Sequence, residues 1–258
     1  MNIRNFPYFF LLIVPAIQIT IMNGILHPGY FFSLSNILSI LVCYVIIFGF
    51  GIEVGYHRYF SHRSFKLKAE KFLEPLISIV GMFALTHSPI SWIFNHRQHH
   101  KFTDTPLDLT SPTNGGILYS FLLWNITSDP TKVKIRKNEL LKSDFQRFIH
   151  DHYVLIVLGS VLILCWLFPL FTVFTLIPAM TLSFLAAGSA NCISHLKGVG
   201  YRNFETPDHS NNLKLLGVLT FGLGYQNNHH FKQSANCMTM KPGEIDPGYW
   251  IVKVVGDV

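Results

Sequence analysis

Charge is what this sequence has least of. Asp, Glu, Lys and Arg make up 13% of its 258 residues, about half the share of a typical soluble domain. Half of the residues are hydrophobic, and the mean hydropathy is +0.35. An ordinary soluble globule and a disordered chain are both excluded. The four cysteines, Cys43, Cys165, Cys192 and Cys237, form no Cys-x-x-Cys pair and no disulfide framework. No Gly-x-Gly-x-x-Gly fingerprint occurs, so no bound flavin or nicotinamide is expected. Glu-x-x-His pairs, the mark of soluble carboxylate-bridged metal bundles, are also missing. There is no internal repeat and no low-complexity linker.

The shortage of charge is concentrated in two places. Residues 5–52 contain no Asp, Glu, Lys or Arg, a run of 48, and residues 152–196 contain none over 45. A membrane-crossing helix needs roughly 20 apolar residues. Each run therefore fits two spans and a short turn, and neither fits three. The turns are expected at His27-Pro28-Gly29-Tyr30 and near Phe168-Pro169. The reading is an all-α integral membrane protein with four transmembrane helices in two hairpins, near 7–26, 31–52, 153–170 and 172–192. Residues 53–150 and 193–258 form a helical cap, and the whole chain is one domain. The apolar stretch Phe72–Phe94 contains Glu74, Pro75, His87 and Pro89. It reads as a buried or interfacial helix, because a fifth span would put the chain before and after it on opposite sides.

All 20 Lys and Arg then fall on one side: Arg4, thirteen within 53–150, and six from Lys197 onward. The positive-inside bias makes that side the cytoplasm, with both termini. A net charge of +6 suits a cap lying on an anionic leaflet and calls for no nucleic-acid partner. The first apolar stretch lacks a small-residue cleavage site and leads into a second span, so no cleavable signal peptide is expected.

Of thirteen histidines, eight cluster. His57-Arg58-Tyr59-Phe60-Ser61-His62 follows the second span. His96-Arg97-Gln98-His99-His100 lies mid-cap, and Gln226-Asn227-Asn228-His229-His230 comes late. Asn191-Cys192-Ile193-Ser194-His195 closes the fourth span. Positions i, i+3 and i+4 share a helix face, so His96, His99 and His100 converge, as do Gln226, His229 and His230. Asn191 and His195 form an i, i+4 pair. His57 and His62 diverge by about 140° on a regular helix, so they need a helix end between them or two metals to serve. Neutral imidazole is the commonest metal ligand, and eight exceed the four of one structural site. Two metals just above the membrane are expected. His27, His87, His150, His152 and His209 read as ordinary core or interfacial residues.

At these residues the sequence resembles the membrane fatty-acid desaturases, in particular the acyl-CoA Δ9 (stearoyl-CoA-like) branch. The matching segments are Gly55–His62, Trp92–Thr105, Asn191–His195 and Gly224–His230, and the tail Glu244–Trp250 looks like bacterial members. The likeness runs in order from about residue 30 to the end. It implies two irons held by His57, His62, His96, His99, His100, His195, His229 and His230, with Asn191 contacting one through water and Trp92 lining the bend of an acyl tunnel. It implies O2 as co-substrate and a cis double bond placed in a saturated acyl thioester carried by CoA or acyl carrier protein. It implies an external electron donor, ferredoxin or cytochrome b5 with its reductase, and a bacterial inner membrane with a cytoplasmic site. An unactivated C–H bond calls for a redox metal, which zinc is not.

The chain departs from that family in three respects. Gln226 stands where His is usual, and an amide oxygen is a harder, weaker donor. Phe94 replaces an Arg two residues before His96, and Asn125–Asp129 replaces an Arg-Lys pair after Trp124. A bidentate phosphate clamp is thereby lost; Arg136, Lys137 or Arg202 could substitute, and a lipid-linked chain is an alternative carrier. Ala187 replaces a Thr facing the tunnel. A related di-iron enzyme (acetylenase, terminal-alkene former or hydroxylase) stays open, as does a metal or haem transporter or an inactive lipid-binding homologue.

Overall fold

The computed structural model describes residues 9–108, 110–124 and 139–258. Arg136, Lys137 and Asn125–Asp129 lie outside them. The described residues are mostly helical. Four apolar helices stand where the uncharged runs place them: α1 (Phe10–Leu26), α2 (Leu34–Ser61), α7 (Tyr153–Leu167) and α8 (Pro169–Ile193). Between α2 and α7 come α3 (Glu70–Met82), α4 (Pro89–Phe102), α5 (Pro112–Leu118) and α6 (Asp144–Asp151). After α8 come α9 (Lys214–Leu219), α10 (Gln226–Phe231) and α11 (Pro247–Val255). The strands β1 (Lys66–Leu67) and β2 (Gly256–Asp257) pair antiparallel and fasten the end of α11 beside α3.

Two helices are long and apolar enough to cross a membrane, α2 with 28 residues and α8 with 25. The α6–α7 pair passes together but bends by 74° between them, and α1 is shorter. The chain breaks at His27, whose ring packs edge-on against Phe174 at 5.5 Å. It breaks again at Phe168, just before Pro169. Polar side chains bind the far ends together. Asn23 donates to the Val173 carbonyl at 2.7 Å, and Asn36 donates to that of Phe174 at 3.1 Å and accepts from Thr175 at 2.9 Å. Without water, such groups must be satisfied internally. Meanwhile Leu34, Val42, Leu162 and Trp166 point outward, Trp166 with 82% of its surface exposed. That is an inverted surface, apolar where a soluble protein would be polar.

α2 does not stop at residue 52. It runs through Glu53, Tyr56, His57 and Arg58, all fully buried. Its second half, Val45–Ser61, is wound as a π-helix, with hydrogen bonds from i+5 rather than i+4. Three glycines let α3 press onto it. A β-carbon on Gly51 would stand 2.8 Å from the Gly81 backbone, and one on Gly55 only 2.1 Å from Ile77. Tyr56 crosses the seam and donates to the Ser78 carbonyl at 2.7 Å.

The stretch Phe72–Phe94 is not one helix. Leu85 and His87 take left-handed backbone angles (φ 58° and 75°), and the chain turns between α3 and α4. Ser88 then caps α4 with Pro89 in its first turn, the favoured start of a helix.

Candidate metal centre

The end of α2 brings His57 and His62 together. The His62 amide donates to the His57 carbonyl at 3.2 Å, an i+5 bond. That bond places i and i+5 on one face, so the 140° divergence of a regular helix does not arise. Their ring centroids are 4.9 Å apart. α4 supplies His96, His99 and His100 from one face, and α10 supplies His229 and His230. His195 follows the last turn of α8.

The eight imidazoles sort into two groups. The first is His57, His62, His96, His100 and His229; the second is His99, His195 and His230. Consecutive histidines are split between them: His99 faces one group and His100 the other, and so do His230 and His229. Successive residues on a helix point about 100° apart, so each His-His pair reaches two neighbouring points. The groups adjoin, with the His100 and His230 rings 4.8 Å apart. Among the described residues, the other five histidines join neither group.

In the first group the Nε2 atoms crowd one point. His57 and His229 lie 3.0 Å apart, His62 and His96 2.7 Å, His96 and His100 3.0 Å, and His100 and His229 2.8 Å. Two imidazoles at right angles on one ion, each bonded at about 2.1 Å, would sit about 3.0 Å apart. In the second group the Nε2 atoms of His99, His195 and His230 are all buried without a hydrogen-bond partner. Each Nδ1 is held by an aspartate: His99 by Asp108 at 2.9 Å, His195 by Asp104 at 3.1 Å and His230 by Asp208 at 2.8 Å. A carboxylate can only accept there, so Nδ1 carries the proton and the bare Nε2 faces inward. Three buried lone pairs converging with no donor are what a metal ion would satisfy. His57 is oriented in the same way by Glu53 at 2.8 Å.

The electrostatics agree. Burial holds His96, His100 and His229 far below the ordinary histidine value, hence neutral and able to ligate. Burial also lowers His230, to about 4, against the pull of Asp208. Burial would raise Asp104, Asp108 and Asp208, yet their histidine partners and local hydroxyl and amide donors hold all three below the usual carboxylate range. His99 moves upward: burial would lower it, but the charge and hydrogen bond of Asp108, together with the charges of Asp104 and Asp208, outweigh that burial. Three carboxylates behind three imidazoles whose inward Nε2 atoms have no partner call for positive charge, which a divalent ion provides. Asp108→Asn should keep the fold and weaken metal binding at the second group about 10- to 100-fold; competition with a fluorescent chelator measures it.

Beside both groups lies a small slot whose lining includes Trp92, His96, His99, Trp124, Ala187, Asn191 and Leu223. Trp92 stacks on His96 at 4.7 Å. The slot has room for about 20 Å³, roughly one water. Gln226 is buried; its amide nitrogen donates to the Leu223 carbonyl at 2.9 Å, and its oxygen has no partner.

A family model described as fatty acid desaturase matches residues 35–236. The chain belongs to the fatty acid desaturase family. It is thus an oxidoreductase of acyl lipids. It is 32% identical over 236 residues to an acyl-CoA 5-desaturase of Anemone leveillei, covering 89% of this chain and 72% of that one. It is 32% identical to an sn-2 palmitoyl-lipid 9-desaturase of Nostoc (90% and 82% covered). It is 31% identical to an sn-1 stearoyl-lipid 9-desaturase of Synechocystis (86% and 70%).

Sequence reasoning about this desaturase missed its carboxylates. Glu53, Asp104, Asp108 and Asp208 each hold the Nδ1 of one of the clustered histidines. Glu53 had a visible signal: it is the first charge after 48 uncharged residues, four before His57. Asp108 and Asp208 sit in loops, where spacing carries no information about direction.

Proposed function

We propose that this chain is an O2-dependent di-iron desaturase that places a cis, Δ9-like double bond in a saturated acyl chain. The carrying observation is the pair of adjoining histidine groups with inward-facing Nε2 atoms beside an apolar slot. The names of the relatives support the reaction class. They divide between CoA-linked and lipid-linked chains, and Phe94 in place of an Arg favours a carrier without a phosphate clamp at that point.

Two irons would be held by the eight histidines, with Asn191 acting through water and the unpartnered Gln226 oxygen as an additional donor. Bound iron supplies the redox chemistry that activates O2. The rest is done by side chains. The carboxylates fix which imidazole nitrogen carries its proton. Trp92, braced on His96, walls the slot and excludes water. Ala187 and Leu223 give an alkyl chain an apolar bed, and Asn191 and the two histidine groups flank it, so that two adjacent methylenes are held still at the reacting point. The slot must open to admit a chain, through movement of the tryptophans that line it, Trp92 and Trp124.

All four apolar helices span the membrane in this reading, in two hairpins, with both termini and the site in the cytoplasm of a bacterium. The buried Asn23 and Asn36 contacts, the outward apolar surface and the one-sided Lys and Arg support it.

The test is the fatty-acid profile of host cells expressing the chain, by gas chromatography–mass spectrometry with derivatisation that locates unsaturation. Lipid classes and thioesters are separated first, and His195→Ala is the control. A new cis alkene that depends on His195 is expected. An alkyne, hydroxy acid or terminal alkene in its place would replace desaturation with a related oxidation.

A further inference from the structure

The proposed reaction, on which this inference rests, has an electron deficit. One O2 takes four electrons and four protons to become two waters. The two C–H bonds lost from the acyl chain give two of each. Two further protons come from water, and two further electrons must be supplied by a donor.

One surface point lies a single residue from the metal-facing groups. α10 ends His230-Phe231, and Lys232 follows as its C-cap. The His230 imidazole is buried at the second group, whereas Phe231 is 54% exposed. Phe231 lies flat on Phe204, with ring centroids 3.9 Å apart and planes within 3°. This outward aromatic pair is rigidly built. The Phe204 amide donates to the Asn227 side chain at 2.9 Å, and Asn227 donates back to the Phe204 carbonyl at 2.9 Å. The same loop carries Asp208, which holds His230 at 2.8 Å. Arg202 fastens the loop through the carbonyls of Thr206, Asp208 and Ser210.

The rim of the pair is positive. Lys241 stands 5.8 Å over the Phe204 ring, and the exposed Lys232 and Arg202 lie one and two residues along the chain from Phe231 and Phe204. Glu205 is the one exposed acid of the loop. Glu244 is half-buried, and its carboxylate is taken up by Tyr201, Asn203, Asn228 and two backbone amides. The larger cleft beside Tyr59, about 840 Å³, has no such single sign: Glu70, Glu74, Glu139 and Asp257 oppose its three bases.

We propose that the Phe204–Phe231 pair, ringed by Arg202, Lys232 and Lys241, is the docking surface for an acidic one-electron carrier protein, and that electrons enter through His230. An apolar centre with a charged rim gives fast, weak, salt-sensitive encounters. Each encounter oxidises the carrier by one electron and reduces one ferric ion to ferrous.

The test uses the full-length, iron-loaded protein in nanodiscs and a reduced plant-type [2Fe–2S] ferredoxin. Carrier oxidation is followed by stopped flow, and binding by biolayer interferometry. For the wild type, both should weaken roughly tenfold as salt rises from low to moderate. The charge reversal Lys232→Glu with Lys241→Glu should reproduce that loss at low salt and remove the salt dependence. Reduction by dithionite should be unchanged, which shows an intact site. Wild-type binding, rate and salt response in the double variant would overturn the proposal. So would a variant that binds and oxidises ferredoxin normally but loses affinity for anionic vesicles or acyl carrier protein, because the patch would then serve a lipid or the substrate's carrier. Normal ferredoxin oxidation by the wild type without any acyl product would defeat the desaturase reading and leave the docking surface standing.

Discussion

His99→Ala will abolish acyl desaturation while the chain remains folded. His99 is one of only three imidazoles in the second group, and two are too few to hold an ion against water. The loss reaches the first group as well, since the His99 and His100 rings are 5.5 Å apart on the same helix turn. The fold should survive. Asp108 keeps the Thr110 hydroxyl and amide at 3.0 Å and the Asp104 amide at 3.0 Å, so its carboxylate is not stranded. The expected result is a fall of about one metal per chain by mass spectrometry and a loss of product of more than about 100-fold. Wild-type product with wild-type iron would remove His99 from the centre.

Arg58→Met should be the most destabilising single change in the cap. Arg58 is fully buried, and every part of its guanidinium is used. It donates to Glu53 at 3.0 Å, to Asp246 at 2.9 Å, and to the carbonyls of Phe221 and Asn236 at 2.8 and 2.7 Å. Removing the cation takes the charged partner from two buried carboxylates and the donor from two carbonyls. Breaking one side of a buried ion pair costs about 3–5 kcal/mol. Lysine should not rescue it, because a point charge cannot serve four acceptors in the plane of a fork. The metal centre would feel the change, because Glu53 also orients His57, while Asp246 caps α11 by accepting from the Tyr249 amide at 3.0 Å. Thermal unfolding in detergent should shift downward by on the order of 10 °C. An unchanged midpoint would mean that water replaces the guanidinium.

These two residues show how far the sequence could be read. His99 was legible: its spacing from His96 and its neighbour His100 is helical, and the helix formed. The apolar helices were legible too, because the bilayer imposes a length and forbids charge. α2 shows where that logic stops. The first charge, Glu53, looked like the end of the span, yet the helix continues because Glu53 and Arg58 neutralise each other inside the protein. Arg58, which the sequence shows only as part of the first histidine motif, is fully buried. Its partners Asp246, Phe221 and Asn236 come from distant segments, and no local pattern announces them. The 5 + 3 division of the histidines was likewise hidden, since it depends on how α4 and α10 are rolled against α2.

The π-wound end of α2 bears on anyone wishing to transplant this centre. A His-x-x-x-x-His motif copied onto an idealised helical scaffold would present its imidazoles on nearly opposite sides, and every other ligand would be built correctly around half a site. What has to be grafted is the wider turn, together with Gly51 and Gly55, which let α3 press against it. Equally, a database pattern of two histidines five apart describes a metal site only where the backbone has surrendered its usual pitch, so the motif is better searched as a shape than as letters.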